Sequence, residues 1–285
     1  MAYKYPSFRR LVPIAFAALS ISSFTVSAQQ VKKKHHHTAP KSDSSTSPSF
    51  RFRTVIIDAG HGGKDPGAHG SYAKEKNVAL AIAKKLRTAL TEQIPSLNVV
   101  MTRTTDNFVE LHRRDEIAAE NKGNLFISIH CNSSPERVST EHGVLLLVYG
   151  YHRKGEQMEA IRENASVFLE KDYQKKYSGY SSNSAVNAIL LSAYQQKFRK
   201  QCIHFADLVN HEFKKEDGRH SLGVKEQGVL VLQQSAMPAV LIETGFINNP
   251  KDEAYLTSSE GQAEIVQSII RAIKKYKADI DGQRE

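Results

Sequence analysis

The sequence predicts an α/β protein with three layers, α/β/α, around a mostly parallel mixed sheet of about six strands. Two observations predict it. Short apolar runs, among them TVIID, NLFISI and AVLI, read as strands buried on both faces because they lack polar alternation. Between the early runs lie segments of helical period, and strands that alternate with helices form parallel, helix-covered sheets.

The regular pattern starts at Thr54. A strand over 54–58 leads into a glycine-rich loop, 59–70, and then a helix from about Asn77, where Val78, Ile82, Leu86 and Leu90 recur every fourth residue. Pro95 closes that helix. A strand at 97–101, a charged helix around 110–121 and strands at 125–129 and 144–148 follow. Residues 153–217 read as long, polar and mostly helical, interrupted at 175–184 by KKYSGYSSNS. Strands return at 229–232 and 239–243. The last helix carries Ile265, Ile269 and Ile273 on one stripe, and the tail after Lys277 is expected to fray.

Ahead of this domain, residues 1–28 have the layout of a secretory signal peptide: Lys4, Arg9 and Arg10, an apolar stretch from Leu11 to Val26, then Val26-Ser27-Ala28. Cleavage after Ala28 leaves no membrane span in the mature chain. No cysteine stands at that point, so lipid anchoring is not expected, and Cys131 and Cys202 are expected to be free thiols. Residues 29–53, rich in Lys, His, Ser and Pro, read as a flexible basic linker, and 54–285 as the folded domain. The formal charge of +9 resides in those leaders: three cations in 1–28, six cations against Asp43 in 29–53, and only +1 in the remainder. A body so nearly neutral speaks against a nucleic-acid-binding face.

Chemistry-bearing side chains gather at the strand ends. His61 lies in the loop of IDAGHGGKDPGAHG, His130 ends FISIH, and Glu243 ends AVLIE. In an open α/β sheet such positions converge on the crevice beyond the carboxyl ends of the strands. Two imidazoles with carboxylates there have the composition of a hydrolytic zinc centre, with three protein ligands and water. The glycine-rich loop matches neither nucleotide-binding pattern. Glu75, just before the first helix, reads equally as a ligand or as a capping charge.

The segments IDAGHGGKDPGAHG, KEKN, MTRTTDNFVELHRRDEIA, SIHCNSS and GVKEQGVLVLQQSAMPAVLIETGFINNP, in order over about 54–277, resemble the zinc-dependent N-acetylmuramoyl-L-alanine amidases of type 3, which are cell-wall hydrolases. The resemblance implies Zn²⁺ held by His61, Glu75 and His130, with Glu243 catalytic and peptidoglycan as substrate. His69 and Cys131 depart from the commonest residues without removing a ligand. The stretch over 153–200 reads in two ways: as the resemblance implies, a regulatory helical insertion that a protein activator displaces, with Glu163 or Glu170 as an autoinhibitory ligand, or an ordinary surface insertion that lines the substrate groove. A monomer in the periplasm or cell envelope is the expectation. The alternatives are a zinc peptidase of the stem peptide and an inactive wall-binding regulator.

Overall fold

In the computed structural model, which describes residues 51–150, 157–177, 185–233 and 235–282, the chain runs β1 (Thr54–Ala59), α1 (Glu75–Gln93), β2 (Asn98–Met101), α2 (Leu111–Glu120), β3 (Leu125–Asn132) and β4 (Val144–Tyr149). Then come α3 (Met158–Asn164), a 3₁₀ turn (Ala165–Leu169), α4 (Tyr173–Tyr177) and α5 (Ala185–His211). The last part holds β5 (Ser221–Gln227), α6 (Leu230–Gln233), β6 (Ala239–Phe246), α7 (Pro250–Thr257) and α8 (Ser259–Gly282). These residues belong to one compact unit, Pro48–Glu285. The signal and linker expectations fall on residues outside the described ones.

The six strands are ordered β2-β1-β3-β6-β4-β5. Every neighbouring pair is parallel except β4 with β6, so the sheet is mixed and mostly parallel, as the sequence predicts. The four inner strands are buried at every residue, which is why they read as unbroken apolar runs. Helix α1 covers β1, β2 and β3 and packs on α8; α5 covers β4, β5 and β6 and also packs on α8. The α1 stripe of Val78, Ile82, Leu86 and Leu90 is buried, as is the α8 stripe of Ile265, Ile269 and Ile273. On the opposite face α6 packs against α2, α3, β4 and β6.

Two expectations are corrected. The run VLVL at 229–232 is not a strand: Leu230–Gln233 is a helical turn, and the strand is the polar Ser221–Gln227 upstream. β5 lies at the sheet edge with β4 as its one neighbour, so its residues stay partly exposed and need no apolar run. Four buried apolar residues satisfy either a strand or a turn of helix, and periodicity cannot separate them. The C-terminus also stays ordered to Gly282. Asp281 accepts from the Phe52 amide at 3.0 Å, Lys277 donates to the Phe52 carbonyl, and the Phe52 ring packs edge-on against Tyr276. Both cysteines are buried thiols, neither joined in a disulfide.

Candidate metal centre

Beyond β1 the chain turns sharply, and His61 takes a φ of 58°, a left-handed conformation that is rare outside glycine. Two buried guanidinium groups hold it there. Arg103 donates to the carbonyls of Ala59 at 2.8 Å and Gly60 at 2.7 Å, and Arg114 to those of Ala59 and His61, both at 2.8 Å. Arg114 also pairs with Asp58 at 2.6 Å, and Asp58 accepts from Thr102 and Ser128. Burial alone would raise the Asp58 carboxyl; Arg114 and the hydroxyls outweigh it and hold it low. Gly60 supplies clearance, because a Cβ there would stand 2.4 Å from the His130 ring.

Glu75 is the first residue of α1, where the helix dipole favours a carboxylate. Its Oε2 accepts from the Ala68 amide at 2.7 Å and its Oε1 from the Cys131 amide at 2.8 Å. His130 and Glu243 are register partners on the neighbouring parallel strands β3 and β6, so their side chains leave the sheet on the same side. The bottom of the site is thus carried by backbone of three strands and one helix start.

Four side chains converge. One ligand atom each from His61, Glu75, His130 and Glu163 lie within 4.8 Å of one another, and all four residues are buried. His61 Nε2 lies 3.1 Å from Glu75 Oε2 and 3.3 Å from Glu163 Oε2, while His130 Nδ1 lies 3.0 Å from Glu75 Oε1 and 2.7 Å from Glu163 Oε2. Yet His61 Nε2 and Glu163 Oε2 are buried without a hydrogen-bond partner. Atoms so close, aimed at a shared point rather than at one another, are what a cation would satisfy. Asp65 accepts from His61 Nδ1 at 2.8 Å, so that in the neutral ring Nε2 is the lone-pair nitrogen that would face a cation, the usual support of a ligating imidazole.

Charge supports the same reading. Burial works against protonating His61 and His130, but Glu75, Asp65 and Glu163 overcome it: His61 rises well above its ordinary value and His130 to about 9. Burial would likewise raise Glu75, and the imidazoles reverse this and lower it. The carboxylates need positive charge at this point, and a divalent ion would supply it. The donor set of two nitrogens with carboxylate oxygens fits such an ion.

Glu163 reaches the cluster from α3, and its neighbour Arg162 reaches Glu243. Arg162 Nη2 donates to Glu243 Oε1 at 2.7 Å and contacts Glu163 Oε1 at 2.8 Å, while Nη1 donates to Asn132 Oδ1 at 2.6 Å and to the Ser133 carbonyl at 2.9 Å. Burial pushes the Glu243 carboxyl up to about 8, with Arg162 opposing and the charges of Glu163 and Glu75 adding to the rise. His61 is 7% exposed, His130 5% and Glu243 0%, so α3 closes the site to anything as large as a polymer strand.

The structure therefore brings His61, Glu75, His130 and Glu163 together, with Glu243 one guanidinium away. Glu170 lies elsewhere. Its Oε1 accepts from the Leu111 amide at 2.8 Å, capping α2, and the Tyr177 hydroxyl donates to its carboxylate at 3.0 Å. With Glu110 and His112 it forms a second acidic group, where Lys176 already supplies a cation 2.7 Å from Glu110. Sequence reasoning gave no role to Asp65, Arg103, Arg114 or Arg162. Asp65, four residues after His61, was the one with a local signal; the arginines reach strand and loop partners 29 to 81 residues away.

The family model described as N-acetylmuramoyl-L-alanine amidase matches residues 55–275. The N-acetylmuramoyl-L-alanine amidase AmiA of Escherichia coli K12 is 26% identical over 97% of this chain and 93% of its own length. AmiC of Escherichia coli O6:H1 is 32% identical over 79% of this chain, which spans 53% of that longer protein. Among solved structures, the catalytic domain of the amidase CwlV from Paenibacillus polymyxa matches 79% of this chain and 97% of its own, at 30% identity and a TM-score of 0.53.

Proposed function

Given that the chain belongs to the N-acetylmuramoyl-L-alanine amidase family, we propose that it is a zinc enzyme of the cell envelope that hydrolyses the amide joining the lactyl group of N-acetylmuramic acid to L-alanine in peptidoglycan. The observation that carries this reading is the buried cluster of His61, Glu75 and His130 with Glu243 in register beside it. When bound, zinc would supply Lewis acidity and a lowered pKa for water.

The chain's own residues do the rest. Asp65 fixes the His61 tautomer, Arg103 and Arg114 hold the loop that carries it, and the Ala68 and Cys131 amides orient Glu75. Glu243 is the proton carrier: it accepts the proton of the attacking water and returns it to the leaving nitrogen. Its place suits that task, because it stands in register with His130 on the neighbouring strand, beside the cluster.

In the same reading the segment within 153–200 is a gate. Glu163 completes the ligand set, and displacement of α3 by an activator exposes the site. Residues 1–28 direct export and 29–53 act as a tether. Mass spectrometry of digested peptidoglycan tests the reaction. Intact stem peptides released with a free L-alanine amine are expected, whereas cuts within the peptide would identify a peptidase and undamaged sacculi an inactive regulator.

A further inference from the structure

Asn132 ends β3 two residues after His130, at an irregularity in the β3–β6 register. It is 2% exposed, and its side-chain orientation is settled by its partners. Oδ1 accepts from Arg162 Nη1 at 2.6 Å and from the Ser133 amide at 2.7 Å, both of which can only donate. Nδ2 therefore is the donor end, and it is buried with no partner. Leaving such a group unpaired costs about 1–3 kcal/mol, so it calls for an explanation.

Besides Glu163 Oε1 on its own helix, the guanidinium of Arg162 occupies three acceptors at the sheet: Glu243 Oε1, Asn132 Oδ1 and the Ser133 carbonyl. Glu243 lies within β6, and Asn132 and Ser133 lie at the carboxyl end of β3; each is left facing the cleft when α3 departs. A peptide amide offers one N–H and one C=O, and the Asn side chain offers the matching acceptor and donor side by side. Consecutive residues of an extended peptide are about 3.8 Å apart. A substrate whose scissile nitrogen stands at Glu243 thus sets its next amide near Asn132.

We propose that Asn132 is a substrate-binding residue whose side-chain amide pairs with the first stem-peptide amide beyond the scissile bond, and that Arg162 fills this subsite in the closed state. The inference rests on the amidase reading and on the gate. It differs from both in assigning a specificity role to a residue outside the metal ligands and the base. Asn132 recognises that the substrate is a peptide and not a lone amino acid.

The test is a cycle between protein and substrate. Full-length chain carrying Arg162→Ala with Glu163→Ala, and the same chain with Asn132→Ala added, are assayed on a soluble muramoyl tripeptide. The second substrate is its analogue with an ester in place of the amide after L-alanine, and bound zinc is measured for each protein. Asn132→Ala is expected to lower kcat/KM on the tripeptide roughly tenfold, mostly through KM, with zinc content unchanged. The ester analogue is expected to be a poorer substrate for the parent and no poorer for the Asn132 variant. Losses that simply multiply, or an effect confined to kcat, would overturn the proposal. Failure of the gate reading shows separately, as equal activity of the Arg162/Glu163 variant and the unaltered chain; failure of the amidase reading shows as no release of L-alanine-terminated peptide by any of them.

Discussion

The two halves of the site are built differently. His61, Glu75 and His130 sit on a floor of fully buried strands, each side chain oriented by backbone amides, carbonyl-bound guanidinium groups or a carboxylate. The cover, from α3 to α4, is a thin polypeptide layer. Met158 is 61% exposed, Ile161 65% and Phe168 69%, and inward-facing contacts come from a few polar side chains, Arg162, Glu163 and Glu170 among them. A floor made of core resists rearrangement, whereas a cover with few buried apolar contacts belongs to the low-stability end of the molecule and can leave without unfolding the rest. In the proposed gate, the fold separates the part that stays preorganised from the part that moves.

That contrast can be broken at several points. The largest effect is expected from Glu243→Gln, which removes the proposed proton carrier and should lower turnover about 10²–10⁴-fold while bound zinc, measured by atomic absorption, stays unchanged. Full turnover would remove Glu243 from the mechanism. Next comes the floor itself: Arg114→Ala strands Asp58 and releases the His61 carbonyl, and denaturant titration should record a loss of about 3–5 kcal/mol. A loss under 1 kcal/mol would mean that the guanidinium staple is decoration.

The cover should respond in the opposite sense. Glu163→Ala is expected to raise basal release of peptide from purified sacculi by roughly tenfold or more, with zinc held less tightly because one ligand is gone. Glu170→Gln, which weakens the tie between the cover and α2, should raise the same basal rate by only roughly two- to tenfold. If both changes left the rate untouched, the segment would be an ordinary surface insertion.

The smallest effect concerns protons. In the metal-free chain the buried carboxylates hold His61 and His130 protonated at neutral pH, the latter up to about 9. Zinc requires the neutral imidazoles, so binding must release protons, and affinity should rise with pH until His130 titrates. Calorimetry in buffers of different ionisation enthalpy should show at least about one proton released per zinc at neutral pH. No release would mean that the imidazoles are already neutral in the empty cluster.

Much of the floor was legible in the sequence because its signals are local. Unbroken apolar runs mark strands buried on both faces, a fourfold stripe marks α1, and residues just past a strand end must appear at the sheet edge. His61, His130 and Glu243 were therefore readable as neighbours before any coordinates, and the ordered motifs made the family plain. The polar edge strand β5 and the helical turn at Leu230–Gln233 were not, since a short apolar run answers to burial alone.

Tertiary structure alone decided the rest. Glu163 and Glu170 share a helical spacing of seven residues and the same chemistry, yet one meets the imidazoles and the other caps α2. The break between α3 and the following 3₁₀ turn changes the direction of the chain, so a spacing argument that assumes one continuous helix cannot apply. The staple of Arg103 and Arg114, and the reach of Arg162 to Glu243 and Asn132, join residues distant in sequence through long side chains that carry no pattern of their own. The sequence determined which elements form and which edge of the sheet holds the chemistry, because burial and periodicity act over a few residues. Which charged groups pair in the low-dielectric interior was left to the assembled fold, because pairing depends on distances that exist only once the layers have closed.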